Sequence, residues 1–217
     1  MYDTNNDVEL IAERQACKLL YHEYNHLLPS ETKRKDDIII KLFGETGGSF
    51  LIEQPFFCDY GYNIEIGDNF YANVNCVVLD EAKVKFGNNV FIAPNCGFYT
   101  AGHPFDAEQR NSGLEYARPI TIGDNVWIGE HVCVLSGVTI GNNSVIGAGS
   151  MVNKDIPEGS LVVRNPCRII RKIYFLHKAH RNEKVIVKRI DDCRFIYLYG
   201  AIIGKDAMVQ RTGTMGD

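Results

Sequence analysis

The sequence predicts a mainly β protein: a parallel β-helix of hexapeptide repeats with an N-terminal pair of α-helices and one protruding loop. Three observations lead there. Aliphatic residues recur every six positions at Ile122, Ile128, Val134, Ile140, Ile146 and Val152. An apolar or small residue stands two before each, at Ile120, Val126, Val132, Val138, Ser144 and Ser150. Glycines 67, 87, 123, 129, 141 and 147 directly follow the aliphatic or aromatic position. A period of six is neither the 3.6 of a helix nor the 2 of a plain strand, and it marks a β-helix. Three hexapeptides close one triangular coil, and stacked coils bury a column that no single coil could bury alone. Glycine is expected at the turn, where a side chain would strain the backbone.

The same phase runs earlier through Ile66, Ala72, Val78 and Val84. After a two-residue shift near Asp80–Glu81 it continues as Phe86, Ile92 and Phe98. The period breaks over residues 99–119, which form the protruding loop. Upstream, residues 7–27 carry Ile11, Ala12, Ala16, Leu19, Leu20 and Tyr24 at helical spacing, with Asp7 placed as the cap. A second helix, capped by Ser30, runs through Ile38, Ile39, Leu42 and Phe43 and is stopped by Gly44. The chain thus divides into a helical segment (1–48), the β-helix with its loop (49–171), and a C-terminal extension (172–217). In that extension Val185–Val187 and Phe195–Tyr199 read as strands of a hairpin.

Composition removes several classes. The chain is 217 residues long, 45% hydrophobic and 23% charged, which is globular rather than disordered. A net charge of −4 argues against general nucleic-acid binding. No run of about 18 apolar residues and no secretory leader is visible, so no membrane partner is expected. Seven cysteines without a C-x-x-C pair favour a reducing, cytoplasmic setting over a disulfide framework. Cys58, Cys76 and Cys96 stand 18 and 20 residues apart and are expected to stack along one edge of the prism.

Residues 99–131 read YTAGHPFDAEQRNSGLEYARPITIGDNVWIGEH, preceded by CDYGYNIEIGDNFYANVNCVVLDEAKVKFGNNVFIAPN. With the helix pair ending in YHEYNHLLPSE, this closely resembles the maltose/galactoside O-acetyltransferases of the hexapeptide acyltransferase superfamily, from about residue 8 to 173. The resemblance implies a left-handed β-helix, a homotrimer with active sites between subunits, and acetyl transfer from acetyl-CoA to a sugar hydroxyl. It implies no metal requirement.

His103, in Ala101-Gly102-His103-Pro104, is then the general base that takes the proton of the attacking hydroxyl. Direct transfer is expected, without an acyl-enzyme on Cys96. The resemblance places Asn73, Asp59, Tyr71, Asp80, Glu81 and Glu115 on the acceptor side, with Asp3 reaching the sugar from the N-terminus. It places Trp127, Glu130, Ala148, Asn153, Lys154, Arg168 and Arg171 along the CoA path, where cations suit phosphates. Arg164 replaces a small residue of the relatives there, and it either contacts phosphate or crowds the cofactor. His22 and His26 share a helix face, a spacing that more often marks a surface feature than a metal clip. The extension beyond Tyr174 departs from the family and reads as a lid, a trimer brace or a loosely packed appendage. Two competing readings keep the fold: a non-sugar acceptor such as serine or a xenobiotic, or a trimeric scaffold without catalysis.

Overall fold

The computed structural model describes residues 1–3 and 6–173. The expected hairpin of the extension, Val185–Val187 with Phe195–Tyr199, lies outside the described residues. A left-handed parallel β-helix forms as the repeat predicts. The first face stacks Glu45–Thr46, Ile64–Ile66, Val84–Phe86, Ile120–Ile122 and Thr139–Ile140. The second stacks Phe50–Ile52, Phe70–Ala72, Phe91–Ile92, Trp127–Ile128, Val145–Ile146 and Ser160–Val163, closed by the antiparallel strand Arg168–Lys172. The third stacks Phe56–Cys58, Cys76–Leu79, Gly97–Tyr99, Cys133–Val134 and Met151–Val152.

The inward residues follow the hexad. Ile52, Ala72, Ile92, Ile128, Ile146 and Val162 form one buried column, and Ile66, Phe86, Ile122 and Ile140 form another. The small residues Ser144 and Ser150 are also buried, where short side chains fit against the next coil. Coils differ in girth. Ile66 pairs with Phe86, twenty residues on, whereas Ile122 pairs with Ile140, eighteen on. The longer coils are filled by rings: Phe86 packs 5.2 Å from Phe70 and 4.9 Å from Phe98, centroid to centroid.

The turn glycines act differently from the expectation. Gly67, Gly87, Gly123 and Gly141 have ordinary backbone angles. They are small because coils touch there: a Cβ on Gly67 would lie 2.7 Å from the carbonyl carbon of Gly87. The left-handed conformation falls two residues later, on Asn69, Asn89, Asn125 and Asn143, with φ of 54°, 55°, 57° and 59°. Asparagine tolerates that region. Its amide also joins coil to coil: Asn69 donates to Asn89 at 2.9 Å, Asn89 to Asn125 at 3.0 Å and Asn125 to Asn143 at 3.0 Å.

Two helices close the lower end. α1 (Val8–His26) is capped by Asp7, whose carboxylate accepts from the amides of Glu9 and Leu10. α2 (Thr32–Leu42) buries Ile38, Ile39 and Leu42 on the coil end. Its cap position is Glu31 rather than Ser30, and the Glu31 carboxylate turns back to accept from Leu28 N–H at 2.9 Å. α1 runs antiparallel to strand Phe56–Cys58. Asn25 exchanges two hydrogen bonds with Phe56, Tyr21 packs on Phe57, and Arg14 donates to Tyr60.

The cysteine stack is also corrected. Cys76 and Cys96 lie side by side, in the register that pairs Val77 with Gly97, but Phe56 pairs with Cys76 while Cys58 pairs with Val78. The coil there has twenty residues, so an 18-residue spacing slips by two.

Gly87→Ala should lower the unfolding free energy by about 1–3 kcal/mol, because its Cβ would lie 2.8 Å from the backbone of Gly123. Gly149→Asn should be close to neutral, since Gly149 is left-handed with nothing near its Cβ. Denaturant titration of both variants checks the contrast.

Candidate functional site

The corner between the third and first faces is the one that varies. It is a five-residue bend at 59–63, a shorter bend at 80–83, and the whole excursion after Tyr99 one coil later. The two-residue shift seen at Asp80–Glu81 belongs to this corner. Its bends stack, and they bring Asp59, Glu81 and the base of the loop together.

Asp80 holds the stack. It is fully buried, and one carboxylate oxygen accepts from the amides of Asp59 at 3.0 Å and Tyr60 at 2.9 Å. Burial still pushes its carboxyl up. Asp80 therefore shapes the bend, buried beneath the acceptor-side position that the resemblance gives it. Glu81 points the other way. Burial, a hydrogen bond to Asp59 and the Asp59 charge push its carboxyl up to about 8. The buried Thr100 hydroxyl stands 3.2 Å from Glu81 Oε2.

The loop is a β-hairpin with a helical tip. Ala101–Gly102 pairs with Leu114–Ala117, and α3 (Ala107–Asn111), capped by Asp106, crosses the tip. His103 leaves the first strand of this hairpin. Its imidazole is 58% exposed, and Nε2 stands 3.9 Å from Oε1 of Glu115 on the second strand. That is too long for a hydrogen bond.

A third strand was not foreseen. Tyr2–Asp3 pairs antiparallel with the hairpin, Tyr2 opposite Glu115 and Asp3 opposite Leu114. Burial and the charges of Glu81 and Glu115 push the Tyr2 phenol up. The expected Asp3 is turned to Asn6, accepting from its amide N–H at 3.1 Å and its side-chain Nδ2 at 2.8 Å. A two-residue strand pairing across more than a hundred residues leaves no periodic signal, and only the tyrosine beside Asp3 marks it.

The remaining candidates lie elsewhere on the chain. Asn73 turns the corner between the second and third faces, its Oδ1 accepting from Val74 N–H at 2.8 Å. Tyr71 points outward from the second face between Leu51 and Phe91. Both are separated from His103 by the third face, whose strand of three or four residues spans about 10–13 Å. Trp127 points outward two coils above Tyr71, and Glu130 and Ala148 occupy the corner beyond it, where Gly149 N–H donates to the Glu130 carbonyl. Arg164 is exposed at that same corner in a left-handed turn with φ of 86°. Arg168 and Arg171 are exposed on the terminal strand opposite Val163 and Leu161. Asn153 and Lys154 are exposed on the other corner, above the loop.

The outer surfaces of the faces differ in character. The first presents Glu45, Glu65, Lys85, Thr121 and Thr139. The second presents Leu51, Tyr71, Phe91, Trp127, Val145 and Leu161 in one row. The third presents Phe57, Val77, Gly97, Cys133 and Met151. Among the described residues no group of three metal-ligating side chains occurs, and no helix is long and apolar enough to cross a membrane. The rings of His22 and His26 stack at 4.1 Å, with His26 Nδ1 on the His22 carbonyl.

Comparison with known proteins agrees with this architecture. Residues 1–47 match the maltose acetyltransferase hexapeptide capping motif, and residues 119–154 match the bacterial transferase hexapeptide of six repeats. A putative acetyltransferase of Saccharomyces cerevisiae is 58% identical over 80% of this chain and 88% of its own length. The crystal structure of a maltose O-acetyltransferase from Clostridium difficile 630 superposes with a TM-score of 0.79 at 51% identity, covering 80% of this chain and 92% of that one. A galactoside acetyltransferase solved in complex with coenzyme A superposes with a TM-score of 0.77 at 44% identity, covering 83% and 93%. With its helical cap and hexapeptide repeats matched and relatives 58% and 49% identical over 80% and 74% of its length, this chain belongs to the maltose/galactoside O-acetyltransferase family of hexapeptide-repeat acyltransferases.

Proposed function

We propose that the chain transfers the acetyl group of acetyl-CoA to a hydroxyl of a sugar or glycoside, with His103 as general base. The observation that carries this reading is His103 at the loop base with Nε2 3.9 Å from Glu115, on a hairpin whose neighbouring strand sets Tyr2 opposite Glu115. His103 takes the hydroxyl proton as the oxygen attacks the thioester carbonyl. The tetrahedral oxyanion collapses, the carbon–sulfur bond breaks, and the imidazolium returns its proton to the CoA sulfur. Carboxylates accept from sugar hydroxyls, and a neutral Glu81 both donates and accepts.

One-step transfer fits the thiols. Burial pushes Cys96 up to about 12 and raises Cys76 as well, so neither supplies a thiolate nucleophile. The solved galactoside acetyltransferase–coenzyme A complex supports the donor, and Lys154, Arg168, Arg171 and Arg164 offer cations to its phosphates. Trp127, Glu130, Ala148 and Asn153 then flank the pantetheine arm.

The working unit is a homotrimer in the cytoplasm. Two of the three prism faces carry outward apolar rows, and Leu51 and Phe91 are 49% and 42% exposed in one chain. A threefold arrangement covers both rows and leaves the polar first face in solvent. It also brings Asn73 and Tyr71 of one subunit to His103 of the next, across the gap that separates them within a chain.

Three outcomes are expected. His103→Ala should cut sugar-dependent CoA release by roughly 10²-fold or more with the assembly intact, and undiminished turnover on a sugar panel would exclude the assignment. Phe91→Glu should convert the trimer to monomers in sedimentation velocity and abolish turnover together. Glu81 is protonated in the folded state well above its unfolded range, so the folded chain holds an extra proton between about pH 4.3 and 8 and loses stability as pH rises through that window. Glu81→Gln should flatten that slope in melting temperatures taken from pH 5 to 9.

A further inference from the structure

Cys17, on α1, and Cys58, at the end of strand Phe56–Cys58, are each 3% exposed. Their sulfurs are 3.5 Å apart, and Cys17 Sγ also lies 3.6 Å from the Cys58 carbonyl. A disulfide needs the sulfurs about 1.5 Å closer. The pair sits in the middle of the seam between cap and coil. Asn25 with Phe56 and Tyr21 with Phe57 lie on one side, and Arg14 with Tyr60 on the other. This seam holds the two elements in register by noncovalent contacts. Cys58 also directly precedes Asp59, so the seam runs into the acceptor-side bend.

We propose that Cys17 and Cys58 form a redox lock: on exposure to a peroxide they join in a disulfide that staples the helical cap to the first coil. The Cys17 thiol is oxidised first, its sulfur displacing hydroxide from hydrogen peroxide to give a sulfenic acid and one water. The Cys58 sulfur then attacks the Cys17 sulfur, the sulfur–oxygen bond breaks, and a second water leaves. Two thiols and one peroxide become one disulfide and two waters, and the two electrons pass from the sulfurs to the peroxide oxygens. The hydrogen bond to Cys17 and burial push the Cys58 thiol up, so Cys58 attacks as the thiol and its proton leaves with the Cys17 hydroxyl as the second water. The product closes a long loop of chain and so restrains the unfolded state.

The test uses the full chain treated with hydrogen peroxide and then alkylated in denaturant. Thiol counts should fall from the seven cysteines of the sequence to five, and dithiothreitol should restore them. Non-reducing peptide maps should show Cys17 joined to Cys58. The melting temperature of the oxidised protein should rise by about 5 °C or more. In Cys58→Ser the reaction should stop at Cys17 sulfenic acid, which dimedone traps. The wild-type peptide map stands independently of how that variant folds. Cys17 and Cys58 recovered reduced, driven to sulfinic acid or linked to other cysteines would overturn the proposal, as would an oxidised protein with an unshifted melting temperature.

Discussion

Close contact between successive coils is the constraint on which this structure depends. Parallel strands stack about 4.8 Å apart, so each residue faces its counterpart in the coil above and below. At the turn the backbones meet with no room for a Cβ, and Gly67, Gly87, Gly123 and Gly141 satisfy that crowding. Two residues later the chain must pass through left-handed angles, and asparagine both accepts them and spans the gap with its amide. Each such amide bond contributes about 1 kcal/mol, and each depends on the neighbouring coil being in place. The column of side-chain carboxylates and amides beside it repeats the pattern: Asn88 accepts from Asp68 N–H, Asp124 from Asn88 N–H and Asn142 from Asp124 N–H.

Rigid faces confine variation to the corners. The first corner keeps the hexad with its turns locked by these ladders, and the second keeps it with one such link, Asn75 donating to Asn95 at 3.0 Å. The third corner has no continuous ladder, and it absorbs extra residues without disturbing the core columns. That is where Asp80 is buried as a support, where Glu81 shares a hydrogen bond with Asp59, and where the hairpin carrying His103 emerges. The proposed chemistry sits at the one edge where coil length is free to change, with a stiff prism behind it.

The hexad was legible because stacking imposes the same residue class at the same phase in every coil. The shift at Asp80–Glu81 was legible too, as a break in that phase. The reason for the glycines was not, since crowding and left-handed angles both call for a missing Cβ and only coordinates tell them apart. Cys58 was misplaced because 18 residues make a full coil later in the chain but fall two short here. Ser30 lost the cap to Glu31 because cap position depends on where the backbone turns, within a residue. Tyr2 lay beyond any local pattern. The distance between Asn73 and His103 follows from counting faces, and the motifs that name those residues carry no such information.

The strand Tyr2–Asp3 sets residues 2 and 3 at the rim of the proposed acceptor site, paired with the hairpin beside Glu115. An affinity tag fused ahead of Met1 would therefore project from that rim, and one engineered onto a loop of the polar first face would not. Purification strategy thus becomes a variable in any comparison of acceptor preference, because the handle and the substrate would share one neighbourhood.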